Sequence, residues 1–204
     1  MNNTRIEGLF PTPVLRGSLD RDFTEQELRY VSNSERKPNI HSTASINGFV
    51  LNDTELCSLK EDIYKFIEEY KQIVIDPKRE FDLIITQSWL NWTDTNGSVH
   101  PHRHPNSYIS GVIYLNALEG DTISFTNTVY QPLQITPNNY TEHNSIEWTI
   151  PVKTGDILIF PSGLQHTVHQ RNIEGETRIS LAFNIFPRGD LGDPMTKTFL
   201  HLNK

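Results

Sequence analysis

A regular pattern of apolar positions marks the stretch from residue 56 to residue 74. Apolar side chains recur there at intervals of three and four residues: Leu56, Leu59, Ile63, Phe66, Ile67, Tyr70, Ile73 and Val74. This is the period of an α-helix with one apolar face, so the pattern predicts a helix packed on a sheet. Asn52 or Asp53 is its expected N-cap, and Pro77 is expected to end it.

A second helix signal lies closer to the N-terminus. Thr24 and Glu27 have the spacing of a capping box, in which each side chain bonds the backbone of the other residue. A short helix should follow this box and end before Asn39. Together, the two helices predict a helical buttress over residues 1–80.

From about Phe81 the pattern changes to short β-rich runs separated by Gly, Pro and Asn. Strands are predicted over residues 83–92, 108–116, 120–126, 146–152, 156–160, 166–170 and 178–186. Runs of this length and spacing indicate an all-β sandwich or barrel. The polar stretch 127–145 is interpreted as a long insert, of the kind that often serves as a lid. The sequence therefore predicts one domain, 1–204, with a β-barrel core over 81–190.

Composition narrows the compartment and the partners. The chain has 204 residues and a formal net charge of −7, whereas a nucleic-acid-binding surface would need a basic stripe. Cys57 is the only cysteine, which fits a reducing compartment. The sequence has no signal-peptide pattern and no run of about 20 apolar residues. We therefore expect a cytoplasmic protein that binds neither nucleic acid nor membrane. The sequence leaves its oligomeric state open.

Histidines supply the first candidate chemistry. His100, His102 and His104 lie within five residues, and alternate residues of an extended segment face the same side. His102 and His104 can therefore point at one centre, and imidazole suits Fe, Zn, Cu and Ni. A barrel can bring the distant His166 to the same mouth. The alternatives are a solvated histidine loop and a core histidine at position 166.

The last predicted strand, RISLAFNIF, carries a second signal. Alternation places Ile179, Leu181, Phe183 and Ile185 on one face, and Arg178, Ser180, Ala182 and Asn184 on the other. An arginine inside a barrel needs an anionic partner, because burying an unpaired guanidinium is costly. A carboxylate ligand fits, since arginine binds it through two parallel hydrogen bonds. The alternative is a salt bridge to an internal Asp or Glu.

Four motifs in order carry a family resemblance: HxH, SGVIYLN, GD-ILIFPSGLQH and RIS-AFN. With the segment LFPTPV at residues 9–14, the chain resembles the Fe(II)/2-oxoglutarate oxygenases, and among them a group from bacteria and phages. The resemblance implies a double-stranded β-helix, the jelly-roll barrel also found in cupins. It also implies Fe(II) and the cosubstrate 2-oxoglutarate, which reacts with dioxygen to give succinate and CO2 while a substrate is oxidised.

The resemblance also implies roles for particular residues. His102 and His166 correspond to iron ligands. Arg178 and Ser180 correspond to the anchor of the distal carboxylate of 2-oxoglutarate. Tyr114 lies where related prolyl hydroxylases place a tyrosine that helps to bind that carboxylate. Asn91, or its neighbour Trp92, lies on a strand that often contributes to the cosubstrate pocket.

The chain departs from the family pattern at one position. The usual triad has an aspartate two residues after the first histidine, and this sequence has His104 there, with no Asp or Glu between residues 99 and 116. Three neutral imidazoles suit Fe(II) and leave the metal centre one unit more positive, which favours a dianionic cosubstrate. Four neighbouring residues are candidates for contacts with the substrate or with the ligands, or are ordinary loop residues: His100, Arg103, Asn106 and Tyr108.

Several functions are compatible with these residues. The first is a 2-oxoglutarate-dependent hydroxylase, whose unknown substrate could be a peptidyl residue such as proline. The second is a cupin-like metal-binding barrel without 2-oxoglutarate, such as an isomerase, a three-histidine thiol dioxygenase or a sugar-binding module. The third is an interaction protein whose histidines bind adventitious metal. Arg178 and Ser180 favour the first, because neither alternative requires them.

Overall fold

The structure is a computed structural model that describes residues 4–94, 97–127, 133, 135–170 and 176–203. Its α-helices are α1 (Glu25–Asn33) and α2 (Cys57–Tyr70), and a π-helical turn (Lys71–Ile75) extends α2. Short 3-10 helices lie at Val50–Asn52, Thr54–Leu56 and Pro194–Thr196. The strands are β1 (Leu15–Ser18), β2 (Arg36–Asn39), β3 (Ser42–Ser45), β4 (Asp82–Thr93), β5 (Val99–His102), β6 (Ile109–Asn116), β7 (Thr122–Thr126), β8 (Glu147–Pro151), β9 (Asp156–Pro161), β10 (His166–Val168), β11 (Arg178–Leu191) and β12 (Leu200–Leu202).

The strands form two antiparallel sheets. The major sheet has the order β1-β9-β6-β11-β4-β3-β2, with β12 paired to the end of β11. The minor sheet has the order β5-β10-β7-β8. From β4 to β11 the chain passes repeatedly between the two sheets. This is the double-stranded β-helix, so the predicted fold is confirmed.

The capping box predicted before α1 is present. The Glu27 backbone N–H donates to Thr24 Oγ1 at 3.2 Å, and the Thr24 N–H donates to Glu27 Oε2 at 2.8 Å. The Glu27 carboxylate is 1% exposed and also accepts hydrogen bonds from the guanidinium of Arg21. These charged bonds compensate the burial of the carboxylate.

The predicted amphipathic helix is α2. Leu59, Ile63, Ile67 and Tyr70 are buried, as their spacing requires. The predicted N-cap was wrong, because α2 is preceded by 3-10 turns and its first residue has no side-chain cap. The helix gives way to the π-helical turn at Lys71, before Pro77 is reached.

The region predicted as a helical buttress also contains strands. β1 pairs with β9, and the hairpin of β2 and β3 extends the major sheet beyond β4. These strands have only four residues each, and β2 (RKPN) is fully exposed. Short polar strands at a sheet edge lack the apolar alternation that marks longer ones. Sequence periodicity therefore missed them.

The faces of β11 separate the core from the interior of the barrel. Leu181, Phe183 and Ile185 belong to the large apolar cluster that the helices pack against. A Cβ on Gly111, the register partner of Phe183, would lie 2.3 Å from the phenyl ring. Glycine at position 111 therefore allows Phe183 to lie flat over β6. The opposite face of β11 looks into the barrel, as alternation predicts.

The seven predicted strands from residue 83 onward are all present, with bounds that differ by a few residues. β11 extends five residues further than expected, and the short strands β5 and β12 were not predicted. Of the predicted insert 127–145, residues 128–132 and 134 lie outside the described part of the chain. Within the described residues, no helix is both long enough and apolar enough to cross a membrane.

Candidate metal centre and cosubstrate pocket

Three histidines meet where the minor sheet faces the major sheet. His102 on β5 and His166 on β10 are direct register partners, and their ring centroids are 4.3 Å apart. His104 follows the end of β5, where its backbone N–H donates to the carbonyl of Ser162 at 3.1 Å. The candidate ligand atoms of the three residues all lie within 4.8 Å of one another. The sequence spacing therefore identified residues that the fold brings together.

Hydrogen bonds donated by Nδ1 orient all three rings. Nδ1 of His102 lies 2.8 Å from the carbonyl oxygen of His100, and Nδ1 of His166 lies 3.0 Å from the carbonyl oxygen of Leu164. In His104 it lies 2.5 Å from Oδ1 of Asn184. An Nδ1–H that donates to oxygen leaves a lone pair on Nε2, which is the arrangement of metal-binding histidines.

The converging Nε2 atoms can share one bound cation. Nε2 of His102 and Nε2 of His104 are only 3.1 Å apart. With both Nδ1 atoms protonated, two lone pairs face each other at this distance, and a bound metal ion relieves their repulsion. Three imidazoles suit Fe(II), so the side chains present fit the metal that the sequence resemblance implies.

Burial keeps the three imidazoles neutral. Desolvation lowers the pKa of His102 and that of His104, and it lowers the pKa of His166 to about 3. Only the neutral imidazole has a lone pair for a metal, so burial prepares the ligand form near neutral pH.

This shift gives a prediction for the metal-free protein. The unfolded chain binds a proton at His166 near its ordinary pKa of 6.5, whereas the folded chain does so only near 3. The free energy of unfolding should therefore fall as the pH is lowered from about 6.5 toward 3. Urea denaturation in EDTA at pH 7 and pH 5 should show a smaller loss for His166→Gln than for the wild type. An equal loss in both proteins would contradict the assigned cause.

A cavity of about 420 Å³ extends from the histidines along the inner face of the major sheet. Ser180 on β11 lies in its wall, with Asn91 on β4 and Tyr114 on β6 as its two register partners. Arg178 is two residues away on the same face and is 3% exposed. The volume lies in the usual range for small-molecule sites. A separate hollow of about 620 Å³ between α1 and β3 lies away from the histidines.

The far end of the cavity combines a cation with a phenol. The guanidinium carbon of Arg178 lies 5.6 Å from the ring centroid of Tyr114, which is 1% exposed. Burial raises the pKa of Tyr114 to about 12, so the phenol keeps its proton and can donate a hydrogen bond. This end of the cavity can bind a carboxylate through the positive charge of the guanidinium and through hydrogen bonds from guanidinium N–H groups and the phenol O–H.

The structure separates the remaining candidates. His100 and Arg103 line the cavity, whereas Asn106 and Tyr108 are not among its lining residues. Asn106 has a left-handed backbone with φ of 57°, and Tyr108 is 48% exposed. Trp92, the alternative to Asn91, belongs to the helix-facing core instead.

Sequence reasoning missed other residues of the wall. Trp89 and Gln87 line the cavity, and the ring of Trp89 lies 5.6 Å from that of His104. Alternation along β4 from Asn91 would have found both. Asn184 was placed on the inner face, but its bond to His104 joins residues 80 apart, and no local pattern shows that.

Comparison with known proteins agrees with this geometry. Residues 87–184 match the family model described as "Putative 2OG-Fe(II) oxygenase". These residues run from β4 to the inner face of β11 and include all three histidines, Tyr114, Arg178 and Ser180. No curated protein sequence matches the chain.

Solved structures with a similar fold include three that are informative. An oxidoreductase of the 2OG-Fe(II) oxygenase family from Burkholderia pseudomallei has a TM-score of 0.51 at 12% identity, covering 84% of this chain and 83% of that chain. HygX from Streptomyces hygroscopicus, with nickel and 2-oxoglutarate bound, has a TM-score of 0.59 at 12% identity, covering 85% of this chain and 82% of HygX. A prolyl-4-hydroxylase from Pseudomonas putida has a TM-score of 0.56 at 14% identity, covering 87% of this chain and 94% of the hydroxylase.

At these identities the structural likeness shows a shared fold, and the family match adds the chemistry. The protein is a 2-oxoglutarate-dependent oxygenase with Fe(II) as its metal and 2-oxoglutarate as its cosubstrate. The part of the chain that matches the 2OG-Fe(II) oxygenase family model, residues 87–184, is just under half of its length and contains the whole histidine cluster.

Proposed function

We propose that this oxygenase is a hydroxylase that acts on a peptidyl residue such as proline, in the cytoplasm. The observation that carries the proposal is a cavity with three converging imidazoles at one end and a buried arginine at the other. The exposed side chain of Arg103 at the wall leaves the histidine end accessible from solvent, as a polypeptide substrate requires. The shared fold with a prolyl-4-hydroxylase supports this substrate class by analogy.

The proposal gives the histidines one role and the residues at the arginine end of the cavity another. His102, His104 and His166 hold Fe(II) through Nε2. Arg178, with the hydroxyls of Ser180 and Tyr114, binds the distal carboxylate of 2-oxoglutarate. When the metal and cosubstrate are bound, reaction with dioxygen converts 2-oxoglutarate to succinate and CO2 and supplies the oxidising power for hydroxylation.

The remaining wall residues orient the two reactants. Asn91 offers an amide beside the cosubstrate, since it is the register partner of Ser180. His100 and Arg103, at the histidine end, contact the substrate. The flat ring of Trp89 beside His104 limits the space for water near the metal.

Substitution of His104 tests the three-histidine centre. His104→Asp restores the carboxylate of the usual triad and is expected to retain Fe(II), whereas His104→Ala should bind it at least about tenfold more weakly. The reason is that a carboxylate is also an iron ligand and a methyl group is not. Metal content after desalting distinguishes the two variants. Equal retention in His104→Ala and in the wild type would remove His104 from the centre.

Product analysis tests the reaction class. The Fe(II)-loaded enzyme should form succinate from 2-oxoglutarate and dioxygen, and proline-containing peptides should increase succinate formation and gain one oxygen atom by mass spectrometry. A matched peptide with alanine for proline is the control. Oxidation of a small thiol without any need for 2-oxoglutarate would favour the thiol dioxygenase instead. Equal stimulation by both peptides would reject proline as the target.

A further inference from the structure

We propose that Asn184 is a positioning residue that fixes the tautomer of His104. In this role its amide oxygen keeps the ring proton on Nδ1, so that Nε2 faces the metal with its lone pair. The inference rests on the proposed function in one respect, because it takes His104 to be a ligand.

The geometry places one oxygen between two donors. Asn184 is 8% exposed on the inner face of β11, and its Oδ1 lies 2.5 Å from Nδ1 of His104. The same oxygen accepts a hydrogen bond from Ser110 Oγ at 3.0 Å. Ser110 is fully buried on β6 and is the register partner of Asn184. The amide is therefore held from two directions in a buried site.

An amide at this position has a consequence that an apolar side chain would lack. Its oxygen can only accept, so it selects the Nδ1–H form of a neutral imidazole. The opposite amide orientation would donate to Nδ1 and leave the proton on Nε2, where it would block coordination. The Ser110 hydroxyl fits the productive orientation, in which it donates to the amide oxygen.

A buried group of serine hydroxyls supports this arrangement. Ser110 Oγ lies 2.8 Å from Ser162 Oγ, which lies 2.8 Å from Ser107 Oγ. The backbone carbonyl of Ser162 also accepts the N–H of His104. The segment that carries His104 and the group that orients its ring are thus connected through the same residue. Buried polar groups connected in this way hold one another in place.

The other two histidines do not need such a side chain. His102 and His166 donate to backbone carbonyls two residues before them, which are fixed by the local chain. A backbone carbonyl cannot turn its dipole around without moving the strand. His104 lies beyond the end of β5, where no local carbonyl bonds its Nδ1 among the described contacts. Its orientation therefore depends on a side chain from the opposite sheet.

Three substitutions test the proposal through metal affinity. Asn184→Leu removes the acceptor at similar volume and should weaken Co(II) binding by roughly 10–100-fold, the usual effect of losing an outer hydrogen-bond partner. Asn184→Asp keeps an acceptor and should bind Co(II) at least as well as the wild type. Asn116→Leu is the matched control. Asn116 on β6 donates to the carbonyl of Thr177 and is not among the residues that line the cavity, so this change should leave Co(II) affinity unaltered.

A spectroscopic measurement separates positioning from a general structural effect. In the Zn(II)-loaded protein, the Nδ1–H proton of His104 should exchange slowly with water in the wild type and in Asn184→Asp. It should exchange rapidly in Asn184→Leu, even if that variant melts at the wild-type temperature. Wild-type Co(II) affinity in Asn184→Leu, or failure of Asn184→Asp to preserve it, would overturn the proposal.

His104→Ala distinguishes this failure from failure of the ligand assignment. If His104→Ala binds Co(II) weakly while Asn184→Leu binds it normally, only the role of Asn184 is wrong. If both variants bind Co(II) like the wild type, His104 is not a ligand and the inference fails with that assignment.

Discussion

His166→Ala should abolish stoichiometric binding of Fe(II) while leaving a folded protein. His166 is 6% exposed and is the register partner of His102, so its loss removes one of the three imidazoles that converge where the two sheets face each other. The loss of affinity should exceed the roughly 10–100-fold effect of losing an outer hydrogen-bond partner. His102→Ala should behave in the same way. Metal content after desalting measures the loss of Fe(II), and circular dichroism shows whether the variant is folded.

A histidine outside the cavity provides the control for this experiment. His169 lies three residues after His166, and its side chain is 58% exposed and bonded to Glu147. His169→Ala should keep full metal content, because the side chain does not belong to the histidine cluster. Full metal content in His166→Ala would remove His166 from the centre. Equal loss in His169→Ala and His166→Ala would show that the bound metal is adventitious.

The long strands of the barrel could be predicted from the sequence because each has one face against a distinct environment. On β11 the alternation separates Leu181 and Phe183, which face the helices, from Ser180 and Asn184, which face the cavity. Apolar and polar side chains therefore still alternate along a strand that is buried on both faces. The partners of each strand could not be read in the same way, since pairing depends on contacts between residues far apart in sequence.

The short strands at the sheet edges could not be predicted for a physical reason. β2 has four exposed residues, including Lys37 and Pro38, and it gains its strand geometry from pairing with β3. Charged residues and proline are typical of edge strands, where they discourage pairing with another chain. Such a segment is extended because of its neighbours and not because of its own apolar pattern.

For the candidate site, local spacing was informative and long-range contacts were not. The alternation of His102 and His104 placed both rings on one side, and the structure brings His166 to them. The approach of Asn184 to His104 depends on two sheets facing each other, so sequence could show only that Asn184 lies on the inner face. Asn106 and Tyr108 were chosen for nearness in sequence, and they are not among the residues that line the cavity.

Arg178→Leu should weaken 2-oxoglutarate binding by at least about tenfold without loss of Fe(II). Arg178 is 3% exposed in the cavity wall, and its guanidinium carbon lies 5.6 Å from the ring centroid of Tyr114. A hydrogen bond to a charged group contributes about 1.5–3 kcal/mol, and 1.4 kcal/mol is tenfold in affinity. The leucine variant would also leave a carboxylate in a buried site without its cation, which adds to the loss.

An anaerobic titration of the Fe(II)-loaded protein with 2-oxoglutarate measures this effect through the visible charge-transfer band of the chelate. Arg188→Leu is the matched control, because Arg188 lies on the same strand but bonds Asp82 at the surface. It should bind 2-oxoglutarate like the wild type. A purely structural role of Arg178 predicts a lower melting temperature with unchanged cosubstrate affinity. Equal affinity in Arg178→Leu and the wild type would therefore assign the guanidinium to the fold, and the carboxylate anchor would have to be sought among Tyr114, Ser180 and Asn91.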